Sequence, residues 1–148
     1  MTIHLRRSTY NELDPISQME KQPHARTFVD PIPLASHQEL FRNQEVEYLS
    51  IVNAQGRLAG YFILVSEAEG QSVEFRRILI DANERGIGQS AIAQMERYCR
   101  EALGAQRIWL DVYDDNALGK HIYEKLGYKR FKSEARGDRL LHFYEKSF

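Results

Sequence analysis

Apolar and polar positions change rhythm several times along this chain, and each change marks an element. Ile3 and Leu5 alternate with His4 and Arg6, which predicts a first strand. Val46 to Val52 and Leu58 to Val65 are rich in β-branched and aromatic residues. They are joined by Asn53-Ala54-Gln55-Gly56-Arg57, so they predict an antiparallel hairpin. A second turn, Glu67 to Gln71, leads into a third strand from Val73 to Ile80. The period then lengthens: Ala91, Ile92, Met95, Cys99, Ala102 and Leu103 share one helical face, with Glu96, Arg97, Arg100 and Glu101 mostly opposite. This predicts a helix from Gln89 to Leu103, with Gly104 at the C-cap. Alternation returns in Arg107 to Tyr113, where Ile108, Leu110 and Val112 share a face. Asn116 to Leu126 reads as a helix ended by Gly127, and Tyr128 to Lys132 and Arg139 to Tyr144 read as strands around the turn Arg136-Gly137-Asp138.

The strand ending at Ile80, the long helix and the strand from Arg107 make one βαβ unit, whose strands must be parallel with a right-handed crossover. An antiparallel meander thus runs into a parallel pair. The fold expected is α/β (α+β): a central mixed, mostly antiparallel sheet with one parallel βαβ unit and flanking helices. No repeat or linker divides the chain, so residues 1–148 are expected to form a single domain. Between Thr9 and Val29 helical signals are interrupted by Pro15 and Pro23. Asp30-Pro31-Ile32-Pro33-Leu34 must be extended or turning, and Ser36 is expected to cap a short helix with Glu39 at the capping-box position.

Composition narrows the possibilities. A chain of 148 residues buries roughly 68–70% of its unfolded surface, enough to hold without disulfide or metal staples. The single Cys99 has no partner and falls on the apolar helix face, so it is expected to be a small core residue in a reducing cytoplasm. Twenty basic against 21 acidic residues supply no basic stripe, which argues against nucleic acid as a partner. No apolar run reaches the roughly 18 residues of a membrane span, and Met1 to Arg7 lacks the apolar centre of a signal peptide. His4, His24, His37, His121 and His142 show no metal-ligand spacing, so no metal is expected.

The chemistry concentrates in Glu84-Arg85-Gly86-Ile87-Gly88-Gln89-Ser90, between a strand and a helix. Two glycines there strip side chains from backbone leading into a helix N-terminus, where unpaired N–H groups and the macrodipole hold phosphate. A phosphorylated ligand follows. Gly86 to Ala91 formally satisfies G-x-G-x-x-A, yet Asp81 to Arg85 separate it from the strand, and too little chain follows for a doubly wound domain. No Lys-Ser or Lys-Thr follows the glycines, which excludes a P-loop.

Asn116-Ala117-Leu118-Gly119-Lys120-His121-Ile122-Tyr123-Glu124-Lys125-Leu126-Gly127-Tyr128 lies just after the second strand of the same unit. With Arg77 to Ile80 and Arg85 to Gly88, it resembles the GNAT superfamily of acyl-CoA-dependent N-acyltransferases, in which a glycine loop follows the fourth strand and an Asn-to-Tyr segment the fifth. The resemblance implies acetyl-CoA as co-substrate, its pyrophosphate on backbone N–H groups of Arg85, Gly86, Ile87, Gly88, Gln89 and Ser90. It also implies pantetheine bonded to backbone of Ile78, Leu79 and Ile80, and Asn116 among the cofactor-binding residues. Tyr123 matches the family's proton donor. Glu74 is the first candidate for the base and Asp111 the second. The acceptor implied is a small-molecule amine or a peptide N-terminus, acetylated directly in a ternary complex. Met19 to His37 and the strand ends near Tyr48, Tyr61 and Phe75 would read that acceptor. Two alternatives stay open: a catalytically degenerate acyl-CoA-binding sensor, and a homodimer joined through Arg139 to Tyr144.

Overall fold

The computed structural model describes residues 2–26, 29–84 and 86–148. They form one seven-stranded sheet in the order β1-β2-β3-β4-β5-β7-β6. The strands are β1 (Ile3–Arg7), β2 (Val46–Asn53), β3 (Leu58–Glu67), β4 (Ser72–Ile80), β5 (Arg107–Tyr113), β6 (Lys129–Arg136) and β7 (Arg139–Ser147). Five helices accompany them: α1 (Leu13–Met19), α2 (Pro23–Arg26), α3 (Leu34–Arg42), α4 (Gly88–Glu101) and α5 (Ala117–Lys125). Among the described residues only β4 and β5 pair in parallel, joined through α4. The mixed, mostly antiparallel sheet expected from the patterning is the one observed.

Each face of the sheet carries its own core. Ala91, Ile92, Met95 and Cys99 of α4 pack with Leu49, Ile51, Phe62, Leu64 and Leu110 on one side, where Ile122 and Tyr123 of α5 join them. Burying each large side chain there contributes roughly 1.5–3 kcal/mol. On the other side Leu13, Ile16 and Met19 of α1 meet Tyr48, Tyr61, Ile63 and Leu79, with Leu40 and Phe41 of α3 alongside. Cys99 is buried as expected, and that burial pushes its thiol up to about 12.

Two irregularities in β4 shape the groove. Ile63 pairs with Arg77 and Leu64 with Phe75, so Arg76 is an extra residue in the strand. The bulge reverses parity: Val73 and Phe75 face the α4 core before it, Ile78 and Ile80 after it. The parallel ladder joins Ser72 to Arg107, Val73 to Ile108 and Glu74 to Trp109 and goes no further, although β4 continues to Ile80 and β5 to Tyr113. Meanwhile β5 stays paired with β7 as far as Tyr113 and Leu141. A bulge bends its strand and sharpens its twist, so β4 peels away from β5 as it enters the bulge, beyond Glu74.

Some boundaries differ from expectation. Helix α3 starts at Leu34 with Pro33 as N-cap, and Ser36 sits in its first turn, donating its amide to the Pro33 carbonyl at 2.9 Å. Proline can begin a helix because it has no N–H to satisfy there. The same reasoning admits Pro15 within the first turn of α1 and Pro23 at the start of α2. Strands β6 and β7 run longer than the apolar pattern implied, because β6 is an exposed edge whose ladder to β7, not burial, defines it.

Candidate active site

Where β4 and β5 separate, a cavity of about 350 Å³ opens, lined by Phe75, Arg76, Arg77 and Ile78 of β4 and by Leu110, Asp111, Val112 and Tyr113 of β5. Val29 and Asp30 close it from the loop before α3, and Asn116 and Tyr123 from α5. A second cavity of about 320 Å³ lies toward the end of β4, between His24, Ile80, Asp81, Ala82, Gly86 and Gly88. The β4 edge that left β5 therefore runs from one cavity toward the other.

The two ends of the glycine loop treat their amides differently. Upstream every donor is taken: Asp81 N–H by the Ala59 carbonyl (2.8 Å), Ala82 N–H by Gln22 Oε1 (3.2 Å), Asn83 N–H by Asp81 Oδ1 (3.0 Å) and Glu84 N–H by the Asp81 carbonyl (2.9 Å). Downstream, the amides of Ile87, Gly88, Gln89 and Ser90 have no hydrogen-bond partner among the described residues. The first to find one is Ala91, which donates to the Ile87 carbonyl at 2.9 Å. The N-cap is Ile87, which makes no side-chain capping bond. A 14-residue helix thus presents donors unpartnered among the described residues, and the positive end of its dipole, beside a cavity. Gly86 has φ +86°, a conformation that favours glycine, and a Cβ placed on Gly88 would meet nothing within 4 Å. The geometry fits a diphosphate at Gly86 to Ser90. Arg85 lies outside the described residues.

Ile80 is less free than expected. Its carbonyl already accepts from His24 Nε2 at 2.8 Å, which places the proton on that nitrogen and leaves the oxygen one further lone pair.

Tyr123 stands on α5 with its ring edge-on to Phe75 (5.8 Å between centroids) and to Tyr128 (6.0 Å). Its hydroxyl has no hydrogen-bond partner among the described residues. Burial, reinforced by the charge of Asp111, pushes its pKa up to about 12, so it is protonated throughout the neutral range. Asn116 is the N-cap of α5, its Oδ1 accepting from Gly119 N–H at 2.9 Å. A Cβ on Gly119 would come within 2.7 Å of the Asn116 amide nitrogen, so this small residue lets the cap close. Asn116 also lines the cavity, and its two roles are compatible because the cap uses one atom of its amide.

The two candidate bases are placed differently. Glu74 is clasped by Arg76 through Nη2 (2.8 Å) and Nε (3.2 Å) and does not line the cavity. Asp111 does line it, and crowding by the protein together with the charge of Glu74 raises its pKa. Although Asp111 retains solvent contact, it sits in a concave floor where hydration is incomplete.

Tyr48 and Tyr61, expected near an acceptor channel, are buried in the core, and their hydroxyls serve a network that the sequence does not announce. Its centre is Glu20, fully buried at the end of α1, which bonds His37 of α3, Tyr61 of β3, Arg77 of β4 and the Ile32 amide. These donors overcome the desolvation that opposes charge, and the Glu20 pKa lies below its ordinary value. No local pattern could have revealed it, since a lone Glu followed by Lys21 reads as a solvated helix end.

Among the described residues no group of three or more His, Cys, Asp or Glu side chains is arranged to hold a metal ion, and no helix is long and apolar enough to cross a membrane.

Comparison with known proteins identifies the family and agrees with the fold. The family model described as acetyltransferase (GNAT) family matches residues 7–128. No protein of curated function matches in sequence. Among solved structures, spermidine N-acetyltransferase from Vibrio cholerae in complex with CoA and spermine superposes with a TM-score of 0.84 at 19% identity, over 98% of this chain and 95% of that one. A chimera of that enzyme with hSSAT gives 0.85 at 19% identity, over 99% and 96%. The Vibrio cholerae spermidine/spermine N-acetyltransferase in complex with manganese ions gives 0.80 at 19% identity, over 98% and 92%. At these identities the likeness establishes the fold.

Proposed function

The chain belongs to the acetyltransferase (GNAT) family, and we propose that it moves an acetyl group from acetyl-CoA directly to a primary amine in a ternary complex, as one catalytic domain. The observation that carries this reading is the placement of three features along the β4 edge that left β5. Amides at the start of α4, unpartnered among the described residues, lie at one end, the edge of β4 that left β5 in the middle, and Tyr123 with Asp111 at the other.

Each part has a physical task. Charge-assisted bonds contribute roughly 1.5–3 kcal/mol apiece, so several amides from Gly86 to Ser90 supply micromolar affinity for a pyrophosphate without a metal. The open edge at Ile78 and Leu79 offers backbone groups to the amide-bearing arm of the cofactor. The thioester, when bound, supplies an activated acetyl group. A lysine-like amine with a pKa near 10.4 is neutral in about one of 2,500 molecules at pH 7, a penalty of roughly 4.6 kcal/mol. A base beside the acceptor lowers that barrier, and Asp111, facing the cavity with a raised pKa, suits the role better than Glu74, which Arg76 engages.

Tyr123 faces the departing thiolate. Full proton transfer from a phenol at about 12 to a thiolate near 8.5 costs roughly 4.8 kcal/mol, so its first contribution is a strong hydrogen bond to developing negative charge. An incoming proton from the amine completes the transfer.

The test is to incubate the chain with acetyl-CoA and a panel of amines and peptide N-termini, recording thiol release and product mass. Intersecting initial-rate lines support direct transfer, and parallel lines exclude it. Heat on titration with coenzyme A without thiol release for any amine would leave a binding module and overturn the enzyme reading.

A further inference from the structure

The carboxylate of Glu20 accepts four donors: Ile32 N–H (2.8 Å) and His37 Nε2 (2.9 Å) on Oε1, the Tyr61 hydroxyl and Arg77 Nη1 (2.8 Å) on Oε2. That saturates its roughly four lone-pair positions. His37 extends the network to the Tyr48 hydroxyl through Nδ1 at 2.6 Å. Two of the four donors connect Glu20 to the cavity between β4 and β5. Arg77 lines it directly, and Ile32 belongs to the short segment whose Val29 and Asp30 line it from the opposite loop.

A buried ion pair is poor glue, because apolar residues of equal volume hold a core as well or better. The effect of this one is on charge at the cavity. Two guanidinium groups line that space, and each is cancelled: Arg76 by Glu74 at 2.8 Å and Arg77 by Glu20 at 2.8 Å. Asp30 and Asp111 also line it, and neither has an ion pair among the described residues. Arg136, which acts on Asp111 at longer range, lies outside the cavity lining and shares Glu134 with Lys132, at 2.8 Å and 3.1 Å. The cavity is therefore left negative, although it contains two arginines.

We propose that Glu20 is a positioning residue that sets acceptor selectivity, withdrawing the charge of Arg77 and anchoring the loop of Asp30 so that the cavity takes an amine bearing a second cationic group. This rests on the acetyl-transfer reading. Asp111 serves the attacking nitrogen as its base, and that nitrogen must be neutral, so it cannot compensate Asp30; a distal ammonium can. Linear diamines and their longer homologues have that chemistry, whereas a simple monoamine does not.

The experiment compares 1,4-diaminobutane with 1-aminobutane as acceptors for the full chain. The wild type is expected to use the diamine at least tenfold better in kcat/KM. Glu20→Gln is expected to raise the diamine KM about tenfold while the acetyl-CoA KM moves less than twofold, collapsing the preference. Adding Arg77→Gln to it removes the uncovered guanidinium and should restore most of the preference. Equal rises in both KM values, or a double variant no more selective than the single, overturn the proposal. Asp30→Asn, at an exposed position, keeps it testable should Glu20→Gln fail to fold: the diamine preference should fall at least threefold, and an unaltered preference overturns it. Equal use of the two amines by the wild type overturns this proposal alone, whereas no thiol release with either overturns the transferase reading as well.

Discussion

Glu74 and Trp109 are the last residues that β4 and β5 join across their parallel ladder, and the cavity that holds Tyr123 and Asp111 begins immediately beyond them. Everything proposed for the chemistry depends on that separation. Its cause lies on β4, where the extra residue Arg76 breaks the register with β3.

Removing the Tyr123 hydroxyl separates catalysis from packing. Tyr123→Phe keeps the edge-on contacts with Phe75 and Tyr128 and loses no intramolecular hydrogen bond among the described residues. The stability change should be under about 0.5 kcal/mol, while kcat falls about 100-fold. Thermal melts and thiol-release rates on one preparation check both, and undiminished turnover would remove Tyr123 from the mechanism.

A negative charge at the start of α4 should help the helix and harm the ligand. Ser90→Asp adds roughly 0.3–1 kcal/mol to stability through the macrodipole. The same carboxylate occupies the bare amides and repels a pyrophosphate, so calorimetry with coenzyme A should show affinity reduced at least tenfold. Unchanged affinity would move the phosphate site elsewhere.

Asp111 should govern both activity and stability through its raised pKa. A carboxyl with a raised folded pKa stabilises the fold fully only below its unfolded pKa, near 3.9, and that contribution is lost as pH rises through the folded value. Asp111→Asn should therefore melt higher than the wild type at pH 8 and at the same temperature near pH 3, while losing about 10- to 100-fold in kcat. A variant that melts lower at pH 8 would contradict the shift.

Glu12 behaves oppositely. Its hydrogen bonds to Arg6 above all, and then to the Thr9 amide and Ser50, hold its carboxyl at about 2. The stability this confers is complete above about 4.5 and disappears as pH falls toward 2. Because the Arg6 side chain is 43% exposed, solvent screening reduces the benefit to about 1–2 kcal/mol. Urea titrations of Glu12→Gln should show that deficit at pH 7 and little of it at pH 2.

Gly60 admits no side chain. A Cβ there would stand 2.3 Å from the Leu79 carbonyl oxygen, which is backbone and cannot swing aside. Gly60→Ala should destabilise by about 1–3 kcal/mol and, by pushing β3 from β4, raise the acetyl-CoA KM as well. Chemical denaturation together with steady-state kinetics measures the two effects.

What could be read from the chain alone was local or periodic. Alternation and helical spacing are properties of neighbours in sequence, so the meander, the βαβ unit and α4 were visible in the order of side chains. Gly86 at the head of α4 and the segment from Asn116 to Tyr123 were legible for the same reason, each being a short run whose spacing carries its own chemistry. Even the bulge left a trace, since Val73, Phe75, Ile78 and Ile80 break a strict alternation by one place.

Tertiary structure alone decided where strands part and which charges meet. The donors on Glu20 come from residues 12, 17, 41 and 57 positions away, a distance over which no sequence period reaches. Glu74 and Asp111 are both carboxylates on neighbouring strands, and only the packed sheet turns one toward Arg76 and the other into the cavity. Periodicity records which face a residue takes; the partner waiting there is set by the folding of distant segments onto it.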